Sequence, residues 1–300
     1  MNNNAYSSSV FFSAVYKILS VKGRLVALLF ISSILFLSCQ KKPVFESPVG
    51  YDFSRPEKIF MKEELLEISG ITFHHDNIDS AFAINDEQGK LYFFKSLKKK
   101  PGFARFGKQG DYEDIAIYKQ RVFVLRSDGV LFSFSADSIR NKEVISHRWE
   151  KLLPKGEYES MSVNEADNRL YVLCKQCEKE KKYITGFEFE LIGDSVNFVN
   201  SFDIDTKSLR EKYEMKFGFR ASALAWNKST KEWYILSSVN KLLLIADSGW
   251  DIKAVYQLNP KVFIQPEGIA FDANHNLYVS NEGNETRNGN VLRFMLHPEK

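Results

Sequence analysis

The chain has 300 residues, 44% of them hydrophobic and 26% charged, with a formal net charge of +3. This length supports one large or two ordinary domains with ample material for a core. Three basic residues (Lys17, Lys22 and Arg24) and no acidic ones fall within residues 1–38, so the remainder of the chain is neutral. A neutral body lacks the positive field that nucleic-acid phosphates require, which excludes nucleic acid as a partner.

The first element in chain order is a targeting segment. The three basic residues precede an uncharged apolar run, Leu25–Leu37, that stops at Ser38-Cys39. A basic region followed by a short apolar run predicts a secretion signal and is too short to span a bilayer comfortably. The stretch Leu35-Phe36-Leu37-Ser38-Cys39 resembles a bacterial lipobox, with Phe36 where leucine is usual. The resemblance implies a lipoprotein signal peptide over 1–38, lipidation of Cys39, a tether over 39–56 and a domain over 57–300. Acyl chains would then hold that domain at a membrane surface. By analogy with lipoprotein sorting, Gln40 after the cysteine implies the outer membrane, facing periplasm or exterior.

From residue 57 onward the pattern is that of strands: runs of four to eight residues, β-branched and aromatic, bounded by Asn, Asp and Gly. The segment EKIFMK (57–62) is followed by five copies of one unit, at 66–95, 111–135, 157–176, 219–247 and 265–294. Each copy has a short apolar strand A, a polar turn and an aromatic strand B, and most continue into a third strand. A fourth strand often follows, as in EVISHRWE (143–150), SVNFVNSFDID (195–205) and DIKAVYQL (251–258). Anchored on Ser69, Glu113, Glu159, Ser222 and Glu267, the copies recur at steps of 44, 46, 63 and 45. A four-stranded unit at that period predicts an all-β fold, a β-propeller of five four-stranded blades. The last copy lacks a fourth strand, and EKIFMK is expected to supply it and close the ring. The 63-residue step fits a long outer hairpin plus a helical insertion at TKSLREKYEMKF (206–217). Six blades are the alternative, if that step conceals a degenerate one. The aromatics Tyr92, Phe93, Phe123, Tyr171, Trp226, Trp233 and Tyr278 lie on predicted strands and are expected between blades.

Cys174 and Cys177 form a lone C-x-x-C with neither a second pair for zinc nor a thioredoxin-like βα context, so a local disulfide or two free thiols is expected.

In an antiparallel pair the start of A and the end of B share one end of the sheet. Strand A is innermost in a propeller, so residues just before it ring the axial channel. In QPEGIAFDANHNLYVSNE (265–282), Glu267 opens A while Asn281 and Glu282 close B. Asp86 and Glu87 hold the matching place in the first copy, and Glu113 and Glu159 match Glu267 in theirs. Three carboxylates at one mouth need a proton, a basic residue or a hard cation to offset their repulsion. Glu113, Glu159 and Glu267 are therefore candidate metal ligands, with Ca2+ the fitting ion, and Asp86, Glu87, Asn281 and Glu282 candidate ligand-binding residues. The competing role is structural, with the glutamates bonding neighbouring backbone amides to lock the blades. The turn DANHN (272–276) lacks the glycine and terminal glutamate of an EF-hand loop and is expected to be the A–B hairpin turn.

The motifs LEISGITF, INDEQGKLY, GDYEDIAIY, YESMSV and QPEGIAFDANHNLYVSNE, in this order over roughly residues 57–295, resemble the SdiA-regulated (YjiK-like) family of membrane-anchored bacterial propellers. The resemblance implies a propeller with a calcium ion at its central mouth and no established reaction. Propeller phytases and gluconolactonase-type propellers are similar only distantly. No nucleophile elbow, phosphate loop, dinucleotide fingerprint or H-E-x-x-H is present. The favoured expectation is a tethered binding or scaffolding protein for a cation, a small ligand or an envelope protein, rather than an enzyme. A metal-dependent hydrolase of phosphoesters or lactones is the alternative.

Overall fold

The structure, a computed structural model, describes residues 44–177 and 182–297. The signal segment and Cys39 lie outside the described residues. Strand β1 (Glu57–Phe60) is followed by β2 (Ile68–Phe73), β3 (Ala81–Asn85), β4 (Gln88–Phe94) and β5 (Gly102–Gln109), the last four forming blade 1. Blade 2 is β6 (Tyr112–Tyr118), β7 (Arg121–Arg126), β8 (Leu131–Ser135) and β9 (His147–Trp149). Blade 3 is β10 (Glu157–Asn164), β11 (Arg169–Gln176), β12 (Tyr183–Ile192) and β13 (Ser195–Asp205). The helix α1 (Lys207–Lys212) leads to blade 4, which is β14 (Ala223–Asn227), β15 (Glu232–Ser237), β16 (Leu242–Ala246) and β17 (Ile252–Gln257). Blade 5 holds β18 (Pro266–Phe271), β19 (Leu277–Asn281) and β20 (Asn290–Phe294). Its fourth strand is β1, paired antiparallel to β20 from Glu57↔Arg293 to Phe60↔Asn290.

The ring therefore has five blades, and an N-terminal strand closes it as expected. Among the described residues the long step contains no further blade. It is filled by the β12–β13 hairpin and by α1. Upstream of β1, Tyr51 and Phe53 are already buried, Phe53 with its ring 4.7 Å from Phe294 and 5.1 Å from Phe263. Among the described residues no helix is long and apolar enough to cross a membrane.

Burial explains why the pattern had to close into a ring. Inner strands such as β16 (LLLIA) are buried along their whole length, whereas the outermost β13 is mostly exposed. A strand covered on both faces reads as an apolar run rather than an alternation. The apolar residues gather into five clusters, one at each junction between neighbouring blades. The blade 3–4 junction stacks Trp233 on Trp250 at 4.7 Å, with Tyr171 edge-on at 4.8 Å. The junction of blades 5 and 1 joins Tyr278 and Val291 to Ile71 and Tyr92, with Ile59 of β1 packed in. Each such side chain contributes roughly 1.5–3 kcal/mol when fully buried. The expected aromatics all lie in or against these clusters.

Around the axis the A strands (β2, β6, β10, β14 and β18) contact one another in cyclic order. The approach is close: a Cβ on Gly268 would meet the Ser69 carbonyl oxygen at 2.5 Å, and one on Gly70 would meet the Ile115 nitrogen at 2.7 Å. Short polar side chains stitch the strands at this level. The Met161 amide donates to Asp114 Oδ2 (2.7 Å), linking blades 3 and 2. Ser222 Oγ donates to the Pro266 carbonyl (3.0 Å), and Ser280 Oγ to that of Ser69 (2.6 Å). At the far end of A, Asp272 accepts from Asn276 and from the Tyr278 hydroxyl, so DANHN is a hairpin turn whose carboxylate is satisfied internally.

Asp114 is 3% exposed, and it holds two backbone amides, those of Met161 and Ile115. Asp114→Ala leaves both donors buried and unpaired and is expected to destabilise the protein by about 2–4 kcal/mol, measured by urea denaturation, with Asp114→Asn milder.

Candidate functional site

At the mouth where the A strands begin, the A–B ladder slips in four blades, between Ile68 and Ile71, Tyr112 and Asp114, Tyr158 and Ser160, and Pro266 and Gly268. Glu113, Glu159 and Glu267 are the extra residues in three of these slips, and Ser69 lies within the fourth. A bulge re-aims its extra residue relative to the ladder. Hydrogen bonds from one blade to the backbone of the next are made by Asp114, Ser222 and Ser280. Glu267 also bonds across blades, with the Ser238 hydroxyl just after β15.

Two residues before each bulge stands a second polar position, occupied by Glu67, Asp111, Glu157 and Gln265. Their carbonyls or side chains meet the ends of the B strands. The Asp86 amide donates to the Glu67 carbonyl (3.3 Å), the Ser127 amide to that of Asp111 (2.9 Å) and the Glu282 amide to that of Gln265 (2.8 Å).

The electrostatics tie these groups together. Burial pushes the Glu113 carboxyl up to about 9, with Asp111 and Glu267 adding to the rise and Lys175 opposing it. Glu267 is pushed up to about 7, first by burial and further by Asp86, against the Ser238 hydroxyl and the ammonium groups of Lys175 and Lys241. Glu282 is raised to about 7 by burial, then by Glu267, Asp86 and Glu67, although its carboxylate accepts from Gln265. Asp86 is raised to about 6 by burial, then by Glu67, Glu87 and Asp111. Asp86 Oδ1 is buried without a hydrogen-bond partner.

Glu159 has a different environment. Its side chain, 10% exposed, is paired with Lys175, whose ammonium also lies 3.0 Å from Glu157 Oε1. Lys175 thus answers Glu159 locally and acts on Glu113 and Glu267 across the mouth. Lys241 donates to the Ile264 carbonyl at 2.7 Å, and burial lowers its pKa while Glu267 opposes the change. Glu87 is exposed. Asn281 is fully buried and donates its amide to the Val262 carbonyl and to Asn290, both at 3.2 Å. The structure therefore couples Asp86, Glu113, Glu267 and Glu282 into one field, places Glu159 against a lysine and turns Asn281 into blade 5. Among the described residues no three acidic, histidine or cysteine side chains form a ready-made metal cage.

The sequence carried a signal for the second polar ring that single-residue matching missed. EIS (67–69), DYE (111–113), EYE (157–159) and QPE (265–267) are one repeated i, i+2 pattern. Lys175 holds the strand-B end position that Asp86 and Glu282 hold in their blades, and blade 3 alone has a lysine there. It is an additional residue at the end of β11, at a second slip where Glu157↔Gln176 gives way to Tyr158↔Cys174.

The opposite end of the channel is built differently. A cavity of ≈ 200 Å³ lies there among Thr72, Ile117, Trp226 and Phe271. Lys228 of blade 4 crosses it to Asp76 Oδ2 of blade 1 (2.8 Å) and Glu165 Oε2 of blade 3 (3.0 Å). The acids at that end are answered by a cation from within the fold. At the mouth, carboxylates outnumber the ammonium groups that face them.

Among solved structures, the chain is similar to Myxococcus xanthus glutaminyl cyclase, at 14% identity and a TM-score of 0.55 over 80% of this chain and 94% of that one. It is also similar to a streptogramin B lyase (11% identity, TM-score 0.45, 81% of this chain and 98% of that one). A Bacteroides thetaiotaomicron protein of unknown function is similar at 12% identity and a TM-score of 0.46, over 77% of this chain and 56% of that one. At these identities the likeness concerns the fold alone. No curated protein matches the chain by sequence. The family model described as SdiA-regulated matches residues 61–285, which is most of the chain and nearly all of the propeller. The chain belongs to the SdiA-regulated family.

Proposed function

We propose that this protein is a lipid-tethered binding propeller of the bacterial cell envelope whose mouth takes a cation, with calcium the ion its donors suit. The observation that carries this reading is the set Asp86, Glu113, Glu267 and Glu282, whose affinity for protons is raised by burial and by neighbouring carboxylates. Groups that hold protons against their ordinary tendency are groups that gain from positive charge. The orphaned Asp86 Oδ1 fits a hard cation, and carboxylates are the oxygens calcium prefers. Asp86, Glu113, Glu267 and Glu282 would hold the ion, which would supply the missing positive charge. Glu159, paired with Lys175, joins only if that lysine yields. The lipobox ending at Cys39 supports the tethered location. The same acidic mouth suits the ammonium group of a small ligand or of an envelope partner.

Titration calorimetry with calcium is expected to show binding that Glu267→Gln weakens by at least about ten-fold, the loss of one nearby unit charge. No heat with calcium would remove the cation reading. Turnover of a phosphoester or lactone that Glu267→Gln abolishes would support the hydrolase reading instead.

The pH dependence has a definite sign. The folded carboxyls of Glu267, Glu282 and Glu113 lie above their ordinary value of 4.5, at about 7, 7 and 9. Between those limits the folded state binds more protons than the unfolded state, so stability falls as pH rises. The melting temperature of calcium-free protein is expected to drop from pH 5 to pH 9, and Glu267→Gln to flatten that drop. Calcium competes with the same protons, so its stabilising effect is expected to grow with pH over this window. A melting temperature indifferent to pH in calcium-free protein would count against the crowded mouth.

A further inference from the structure

Lys175 stands inside a disulfide ring. Cys174 and Cys177 are bonded, closing a loop of four residues at the end of β11. A Cβ on Gly156 would lie 3.0 Å from Cys177 Sγ and 3.3 Å from Cys174 Sγ, so a residue without a side chain makes room for the bridge. Around this point the ladder is weak. Strand β12 pairs with β11 only from Arg169 to Leu173, so Cys174, Lys175 and Gln176 have β10 alone beside them. Their pairing with β10 is itself broken by two successive slips, which leave Lys175 unpaired on one strand and Glu159 unpaired on the other. Among the described residues the disulfide holds this strand end together with the Arg220–Gln176 hydrogen bond (3.0 Å) and the ion pairs of Lys175 with Glu157 and Glu159. Its two sulfurs differ in access, since Cys174 is 4% exposed and Cys177 is half-buried.

We propose that Lys175 is a tethered counter-cation, held at the mouth by the Cys174–Cys177 disulfide, and that a dithiol reductant withdraws it and so opens the mouth to an incoming cation. This rests on the cation-binding reading of the mouth. A thiolate of the dithiol attacks Cys177 Sγ, the bond to Cys174 breaks, and Cys174 leaves as a thiolate that takes up a proton. The second thiol of the dithiol then resolves the mixed disulfide. Two electrons and two protons end on Cys174 and Cys177, and the dithiol becomes a disulfide. The freed strand end no longer fixes the Lys175 ammonium over Glu157 and Glu159. Glu159 becomes available as a further carboxylate, and Glu113 and Glu267 lose an opposing positive charge.

The test uses the folded protein, oxidised or treated with dithiothreitol, with two readouts: calcium affinity by calorimetry and the acetylation rate of the Lys175 amine by mass spectrometry. Reduction is expected to tighten calcium binding on the order of ten-fold, the effect of removing one unit charge from the site, and to speed acetylation of Lys175. Lys175→Met is expected to bind calcium tightly in both redox states. The double variant Cys174→Ser/Cys177→Ser should match reduced wild type. Equal affinity and equal acetylation in the two states of wild type would overturn the proposal while leaving the cation reading intact. Faster acetylation on reduction, with no calcium heat in either state, would keep the redox release of Lys175 and remove the cation reading.

Discussion

A single four-stranded sheet of this chain has apolar side chains on both faces, and that constraint places everything else. Neither face can be left in water, so each blade must be covered by two neighbours, and five blades satisfy this only by closing into a ring. The five apolar clusters at the blade junctions are the direct record of that burial. Closure also uses both ends of the chain, since β1 completes the sheet begun by β18. Once the ring is closed, the starts of five A strands have nowhere to go except around one axis, and whatever residues stand there are forced together.

The chain meets that crowding on two levels. Asp114, Ser222 and Ser280 join neighbouring blades through short hydrogen bonds to backbone groups. Those bonds tie neighbouring blades together, and Glu267 adds one more through the Ser238 hydroxyl. At the rim itself, bulges set Glu113, Glu159 and Glu267 outside the ladder, and Lys175 and Lys241 answer only part of their charge. The far end of the channel shows what a neutralised arrangement looks like, with Lys228 shared between Asp76 and Glu165. The two ends of the channel differ in this respect: the acids at the far end are paired with a lysine, and several carboxylates at the mouth are not.

Much of this was legible in the sequence because it repeats. The blade period, the closing strand and the inward position of Glu113 and Glu267 all follow from aligning one copy on another and from antiparallel pairing. What repetition does not carry was hidden. Where other blades end strand B on Asp86 or Glu282, blade 3 has Lys175, at a slip in pairing that strand propensities do not encode. The partnership of Glu159 with it therefore could not be read from the match to the other glutamates. Asn281 looked equivalent to its neighbour Glu282, but adjacent residues of a strand face opposite ways. One carboxylate joins the mouth while the amide beside it turns into the blade. The disulfide remained one of two open alternatives because a C-x-x-C spacing alone does not fix how far apart the two sulfurs lie.

Buried carboxylates from separate blades share one electrostatic field at the mouth. Carbon-detected NMR titration of protein labelled at the glutamate carboxyls, with Glu113→Gln and Glu267→Gln for assignment, reads that field residue by residue. Glu113 is expected to titrate near 9 and Glu267 near 7, and Glu113 is expected to titrate lower once Glu267 is made neutral. Titration of both at the ordinary glutamate value, each indifferent to removal of the other, would contradict it.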